Sequence, residues 1–180
     1  MHIVETMTPD LLFHGTSAAA AAGIVYENSF MAENTHGDEK GLGVSLTRDL
    51  RIAKRFADES SHAARINGSA DWMPGYAEAL VNGTGGLVLV LERKSLAGML
   101  VPIESDADDF GYEIEGQPVN DESEERLIAA PGLNHVSNAR ALISSIILIN
   151  PRQFARFCSK LQRLAPEYAD AIQFLKGRIS

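Results

Sequence analysis

The chain has 180 residues with 45% hydrophobic and 22% charged residues, ordinary values for a globular protein large enough to bury a core without disulfides or metal. Its formal net charge of −8 argues against a nonspecific grip on nucleic acid, which needs clustered Lys and Arg to displace counterions. The lone cysteine, Cys158, cannot form an internal disulfide, and no apolar run approaches the roughly 18 residues that span a bilayer. No basic segment followed by an apolar one opens the chain, so a cytoplasmic protein, or one delivered into a host cytoplasm, is expected.

Residues 1–10 read as a lead-in that turns at Thr8-Pro9-Asp10. The apolar run at 11–14 predicts a strand ending in His14, with Gly15 making the turn into an alanine-rich helix over about 18–28. Thr16 or Ser17 is the expected N-cap, because a hydroxyl there accepts from a free helical N–H. Asn28-Ser29 ends the helix, Phe30-Met31 returns to the core, and 33–40, with His36-Gly37-Asp38, is an exposed polar loop.

A second strand follows over 41–47, with Val44 and Leu46 on one face and Ser45 and Thr47 on the other, the latter facing a cleft. Asp49 is placed to cap the next helix, in which Ile52, Ala53, Phe56 and Ala57 recur at helical spacing. At that spacing Phe56 reads first as core, with a ligand platform as its alternative role. Ser60-Ser61-His62 breaks the pattern, leaving His62 on the surface at the helix end. A short helix is expected over 76–81, with Trp72 and Tyr76 in a satellite packing cluster.

Leu87-Val88-Leu89-Val90-Leu91 is a strand buried on both faces, hence central in a sheet, whereas Pro102 confines 101–103 to an edge. The acidic stretch 105–116, with Asp106, Asp108 and Asp109, lacks the glycine and closing Glu of a calcium loop and reads as solvated. Glu122, Glu124 and Glu125 lead into an apolar strand closed by Pro131. Residues 139–149 predict another strong strand. After Pro151 an amphipathic helical segment buries Phe154, Phe157 and Leu161 and turns Arg152, Arg156, Lys160 and Arg163 outward. Cys158 is expected as a packed thiol within it.

Three separated motifs, Phe13-His14-Gly15-Thr16-Ser17, Gly43-Val44-Ser45-Leu46-Thr47-Arg48-Asp49 with Ala53 and Phe56-Ala57, and Glu122-Ser123-Glu124-Glu125-Arg126-Leu127, occur in an order and spacing that resembles the ADP-ribosyltransferase superfamily. The acidic segment is most similar to bacterial and phage-encoded, toxin-like members, and the resemblance covers about residues 11–149 of a single domain spanning 1–180. It implies an α+β split β-sandwich with flanking helices, the segment 151–180 adding the C-terminal ones, and NAD bound as substrate between two small sheets, without metal. His14 would bond a ribose hydroxyl of the adenosine half, and Gly15 would offer its backbone to the nicotinamide carboxamide. Thr16, Ser45, Thr47 and Phe56 complete the implied NAD-binding set. Glu124 is the first choice for the catalytic carboxylate, Glu125 its rival, and Glu122 would orient or deprotonate the acceptor. Adjacent strand residues face opposite ways, so Glu124 and Glu125 cannot both point into one cleft.

The second-strand residue is Ser45 where many His-type members carry tyrosine, so a stacking ring comes from elsewhere or is absent. The resemblance implies a mono-ADP-ribosyltransferase that moves ADP-ribose from NAD to a macromolecule and releases nicotinamide, with a protein acceptor favoured over nucleic acid. The alternatives are an NAD glycohydrolase, an NAD-dependent RNA 2′-phosphotransferase, and a non-catalytic module that binds a nucleotide or a partner. The acidic balance and the scarcity of Arg near the motifs count against the phosphotransferase.

Overall fold

The computed structural model describes residues 10–32, 43–67, 85–102, 112–114, 117–119 and 124–180; of residues 60–67, 101, 102, 112–114, 117–119 and 124–126 it describes the backbone. The lead-in 1–9, the loop 33–40, the helix expected over 76–81 with Trp72 and Tyr76, the acidic stretch 105–111 and Glu122 lie outside the described residues. Helices and an antiparallel sheet make up a mixed α and β fold.

β1 (Leu11–Ser17) is longer than its apolar run, because Gly15, Thr16 and Ser17 continue the ladder instead of turning. Ser17 then caps α1 (Ala18–Glu27), its hydroxyl accepting from the N–H of Ala20 at 3.1 Å. Asn28 closes α1 in the left-handed region, at φ 52°. Its side-chain oxygen accepts from the N–H of Arg140 at 2.9 Å, tying the helix end to a distant segment. β2 (Ser29–Met31) buries Phe30 but leaves Met31 exposed, so half of the expected return to the core is met.

β3 (Gly43–Thr47) keeps the expected alternation, with Val44 and Leu46 in the main core. α2 (Leu50–Asn67) runs through Ser60-Ser61-His62, where an end was expected. Residues 60–67 contain neither Pro nor Gly, and one turn earlier Arg55 Nε meets Glu59 Oε1 at 2.9 Å across i,i+4. β4 (Gly86–Glu92) is buried as its apolar run requires, and a 3₁₀ turn (Arg93–Leu96) leads to β5 (Leu100–Pro102) at the sheet edge.

β6 (Tyr112–Ile114) and β7 (Gln117–Val119) form a two-stranded ribbon where only an acidic loop was expected. Tyr112, Ile114 and Val119 are β-forming residues flanking a link that contains Gly116, a hairpin pattern the acid count obscured. β8 (Glu124–Ile128) pairs with both β3 and β5. β9 (His135–Ser137) joins β2 in a second ribbon. The strand expected over 139–149 is instead a helical turn, α3 (Ala139–Leu142), followed by β10 (Ile143–Leu148). Ala139-Arg140-Ala141-Leu142 are helix formers, and β-branched residues begin only at Ile143. α4 (Pro151–Leu164) starts at the Asn150 cap and, after a 3₁₀ turn at Pro166–Tyr168, α5 (Ala169–Gly177) ends the fold.

The main sheet runs β10-β4-β1-β3-β8-β5, with every adjacent pair antiparallel. α1, α4 and α5 cover one face, burying Leu12, Leu89, Phe157 and Leu161. Cys158 is fully buried there, and burial pushes its thiol up to about 11. α2 covers the other face through Ala53 and Ala57 against Phe13, Val88 and Val90. Among the described residues, no helix is long and apolar enough to cross a membrane.

α2 sits directly on the strand backbone. A Cβ at Gly15 would fall 1.8 Å from the Ala53 carbonyl oxygen, and one at Gly86 would fall 2.4 Å from that of Ala57. Gly15→Ala should therefore cost about 3 kcal/mol, the upper end of overpacking costs, because a helix backbone yields less readily than a side chain. Gly177→Ala, which meets nothing within 4 Å, should stay within about 0.5 kcal/mol. Chemical denaturation of the two variants measures the difference; equal midpoints would contradict this packing.

Candidate active site

β1 pairs with β4 along all seven of its residues but meets β3 at one register position, Phe13 opposite Thr47. Beyond that position no backbone register continues between the two strands. His14 spans the junction with its side chain, and its Nδ1 lies 3.0 Å from the Ser45 carbonyl oxygen. A carbonyl only accepts, so Nδ1 carries the proton and donates, and in that tautomer Nε2 is the acceptor nitrogen. The ring also stands edge-on to Phe30, with centroids 6.1 Å apart.

A cavity of about 1270 Å³ opens at this junction. Pockets for drug-sized ligands measure roughly 300–1,000 Å³, so the space is large enough for an extended ligand. His14, Gly15, Thr16, Ser45 and Phe56 all line it. Five of the six residues expected to bind NAD therefore converge, although they come from two strands and a helix. Phe56 is 38% exposed, which corrects its reading as core: its neighbours Ala53 and Ala57 make the packing face, and the ring projects beside them. It supplies an aromatic surface that Ser45 cannot.

The cavity reaches both faces of the sheet. Gly15 lies beneath α2, and Phe56 comes from that helix. His14 and Phe30 belong to the opposite side, where Ala20, Ile24 and Asn28 of the α1 segment join the wall.

Thr47 is the sixth candidate, and it does not line the cavity. It is buried, and its hydroxyl accepts from the N–H of Asp49 at 3.0 Å. Threonine at a strand-to-helix turn is occupied by that local bond, which alternation alone does not reveal. Asp49, 3% exposed, in turn caps α2, accepting from the Arg51 N–H at 2.9 Å and forming a two-point ion pair with the Arg51 guanidinium. Burial pushes the Asp49 carboxyl up, but the Arg51 bonds and charge and the Ile52 N–H outweigh it and hold it below its ordinary value.

Glu124 and Glu125 open β8, the strand next to β3. Glu124 is in register with Thr47, itself opposite Phe13, so one row crosses β1, β3 and β8. At about 4.8 Å per strand, position 124 is roughly 10 Å across the sheet from the residue preceding His14. Glu125 is in register with Leu46 and Pro102.

No family profile, curated protein or solved structure matches the chain.

Several wall residues escaped the sequence reading: Glu27, Asn28, His135, Ser137 and Asn138 also line the cavity. His135 and Ser137 arrive on β9, a three-residue strand whose partner β2 is 104 positions away at Met31, so no local pattern marks them.

The Asp49 cap gives a direct test. A carboxyl held below its unfolded value of about 3.9 stabilises the fold above that pH and loses the contribution as pH falls through its folded value. Asp49→Asn, which can still accept the Arg51 N–H, should cost about 0.5–1 kcal/mol at pH 7 from the lost charge. The gap should shrink below about pH 4. Denaturation at pH 7 and pH 3 checks this, and a gap that widens in acid would refute it.

Proposed function

We propose that the protein is a mono-ADP-ribosyltransferase that cleaves NAD, releases nicotinamide and transfers ADP-ribose to a macromolecular acceptor. The observation that carries this reading is the convergence of His14, Gly15, Thr16, Ser45 and Phe56 on one cavity at the opened β1–β3 junction. A sheet parted at that junction is also the feature that favours the split β-sandwich of the ADP-ribosyltransferase type.

In this reading the dinucleotide threads the opening. The nicotinamide end lies on the α2 side, its carboxamide against the Gly15 backbone and its ring against Phe56. The adenosine half lies on the α1 side, where His14 Nε2 accepts from a ribose hydroxyl. Breaking the bond between the ribose carbon and the pyridinium nitrogen leaves the electron pair on a neutral nicotinamide and positive charge on the ribose, as in glycoside cleavage. A fixed carboxylate beside that ribose lowers the barrier, more so where water is excluded. The acceptor nucleophile then bonds to the same carbon and gives up its proton, with Glu122 in the supporting role of base.

The register favours Glu124 over Glu125 for the carboxylate. Its partner Thr47 shares a face with cavity-lining Ser45, whereas the partner of Glu125, Leu46, is buried in the main core. A protein acceptor fits the net charge of −8 better than a nucleic acid does.

Incubation with NAD labelled in the adenylate and in the nicotinamide, with whole-cell lysate, should release nicotinamide and leave adenylate label on protease-sensitive material. Glu124→Gln should slow release on the order of 10²–10³-fold. Phe56→Ala should raise KM for NAD about fivefold, the worth of a ring contact. Label confined to free ADP-ribose with every acceptor would make the protein an NAD glycohydrolase. Label in nuclease-sensitive material would replace the acceptor class. Nicotinamide release that survives Glu124→Gln would remove the assigned carboxylate.

A further inference from the structure

The cavity contains a second imidazole that the reading above leaves unused. His135 lines it from β9, half-buried, in register with Met31 of β2, while the neighbouring pair is Phe30 with Val136. Phe30 is the residue whose ring stands against His14. Side chains alternate along this ribbon, so Phe30 and Val136 face the core, while His135 and Met31 share the other face with the cavity residues Ser29 and Ser137. His135 Nδ1 lies 3.3 Å from the side-chain oxygen of Asn134. That oxygen accepts, so Nδ1–H donates and Nε2 becomes the acceptor nitrogen, the same tautomer that Ser45 imposes on His14.

We infer that His135 reads the base at the far end of the dinucleotide, its Nε2 accepting from the exocyclic amine of adenine. The inference rests on NAD as the ligand and adds a specificity-determining residue to that site. His14 meets a sugar hydroxyl in that reading, His135 lines the same cavity from a different strand pair, and the adenine amine supplies a donor that the Nε2 acceptor complements. A hypoxanthine base carries a carbonyl in place of that amine and would set two acceptors face to face. Leaving a site's polar group opposed in this way is what lets hydrogen-bonding sites discriminate among analogues. Glu27 and Asn28 stand at the end of α1 on the same wall, so the base end of the cavity is polar.

The test compares NAD with its hypoxanthine analogue in steady state, and AMP with IMP by calorimetry, using the full chain. The wild type should favour the adenine member of each pair by about five- to tenfold, in KM and in Kd, with kcat alike for both substrates. His135→Ala should reduce both ratios to near one while leaving affinity for nicotinamide unchanged. His135→Gln, whose carbonyl also accepts, should restore part of the preference. A wild type indifferent to the base, or an alanine variant that keeps the preference, overturns the assignment. An alanine variant that weakens nicotinamide equally also overturns it, since a general disturbance of the fold would then be the cause. AMP discrimination without NAD turnover would sink the transferase reading and leave the His135 assignment standing; turnover without discrimination would do the reverse.

Discussion

The site depends on a close approach: α2 lies against the sheet with no side chain between its backbone and the strands at Gly15 and Gly86. Two adjacent strands, β1 and β4, are held beneath that helix by a backbone-to-backbone fit that a Cβ at Gly15 or Gly86 would spoil. The fit also fixes where the exposed face of α2 points, and so brings Phe56 to the cavity edge. The Thr47 and Asp49 bonds complete the arrangement by setting the position at which α2 leaves β3. β1 is thus committed to β4 and α2 and retains one register position with β3.

The opening that results is where the polar chemistry gathers. The Ser45 carbonyl accepts from the His14 ring across it. One bond therefore bridges the parted strands, orients the imidazole and selects its tautomer. Further out, the β2–β9 ribbon contributes a second imidazole, and the Asn28 corner anchors that wall to α3 through Arg140. A wall with two imidazoles, each bonded through Nδ1 to an oxygen acceptor, suits hydroxyl and amine donors, which a nucleotide offers in number.

Legibility in the sequence followed the range of the interactions. Leu87–Leu91 and the Phe154, Phe157 and Leu161 face were readable because burial imposes a local period. The Ser17 and Asp49 caps were readable for the same reason, since each is satisfied within a few residues. Gly15 was read as a turn because the helix that requires its missing side chain arrives some 38 positions later, at Ala53. The β2–β9 ribbon, and with it His135 and Ser137, was invisible because neither three-residue strand has meaning without the other. Among the expected site residues, Thr47 was lost to a capping bond, while Phe56 proved to be a cavity residue rather than core because its helix meets the sheet through small alanines instead.

The central claim is that a dinucleotide enters the β1–β3 opening and meets the His14 imidazole. Nitrogen-15 NMR of the histidine rings during a titration with NAD tests it most directly. The account predicts that His14 Nδ1 stays protonated, held by the Ser45 carbonyl, while its Nε2 resonance moves in a saturable way. A His14 ring whose two nitrogens stay unchanged at saturating NAD would contradict it.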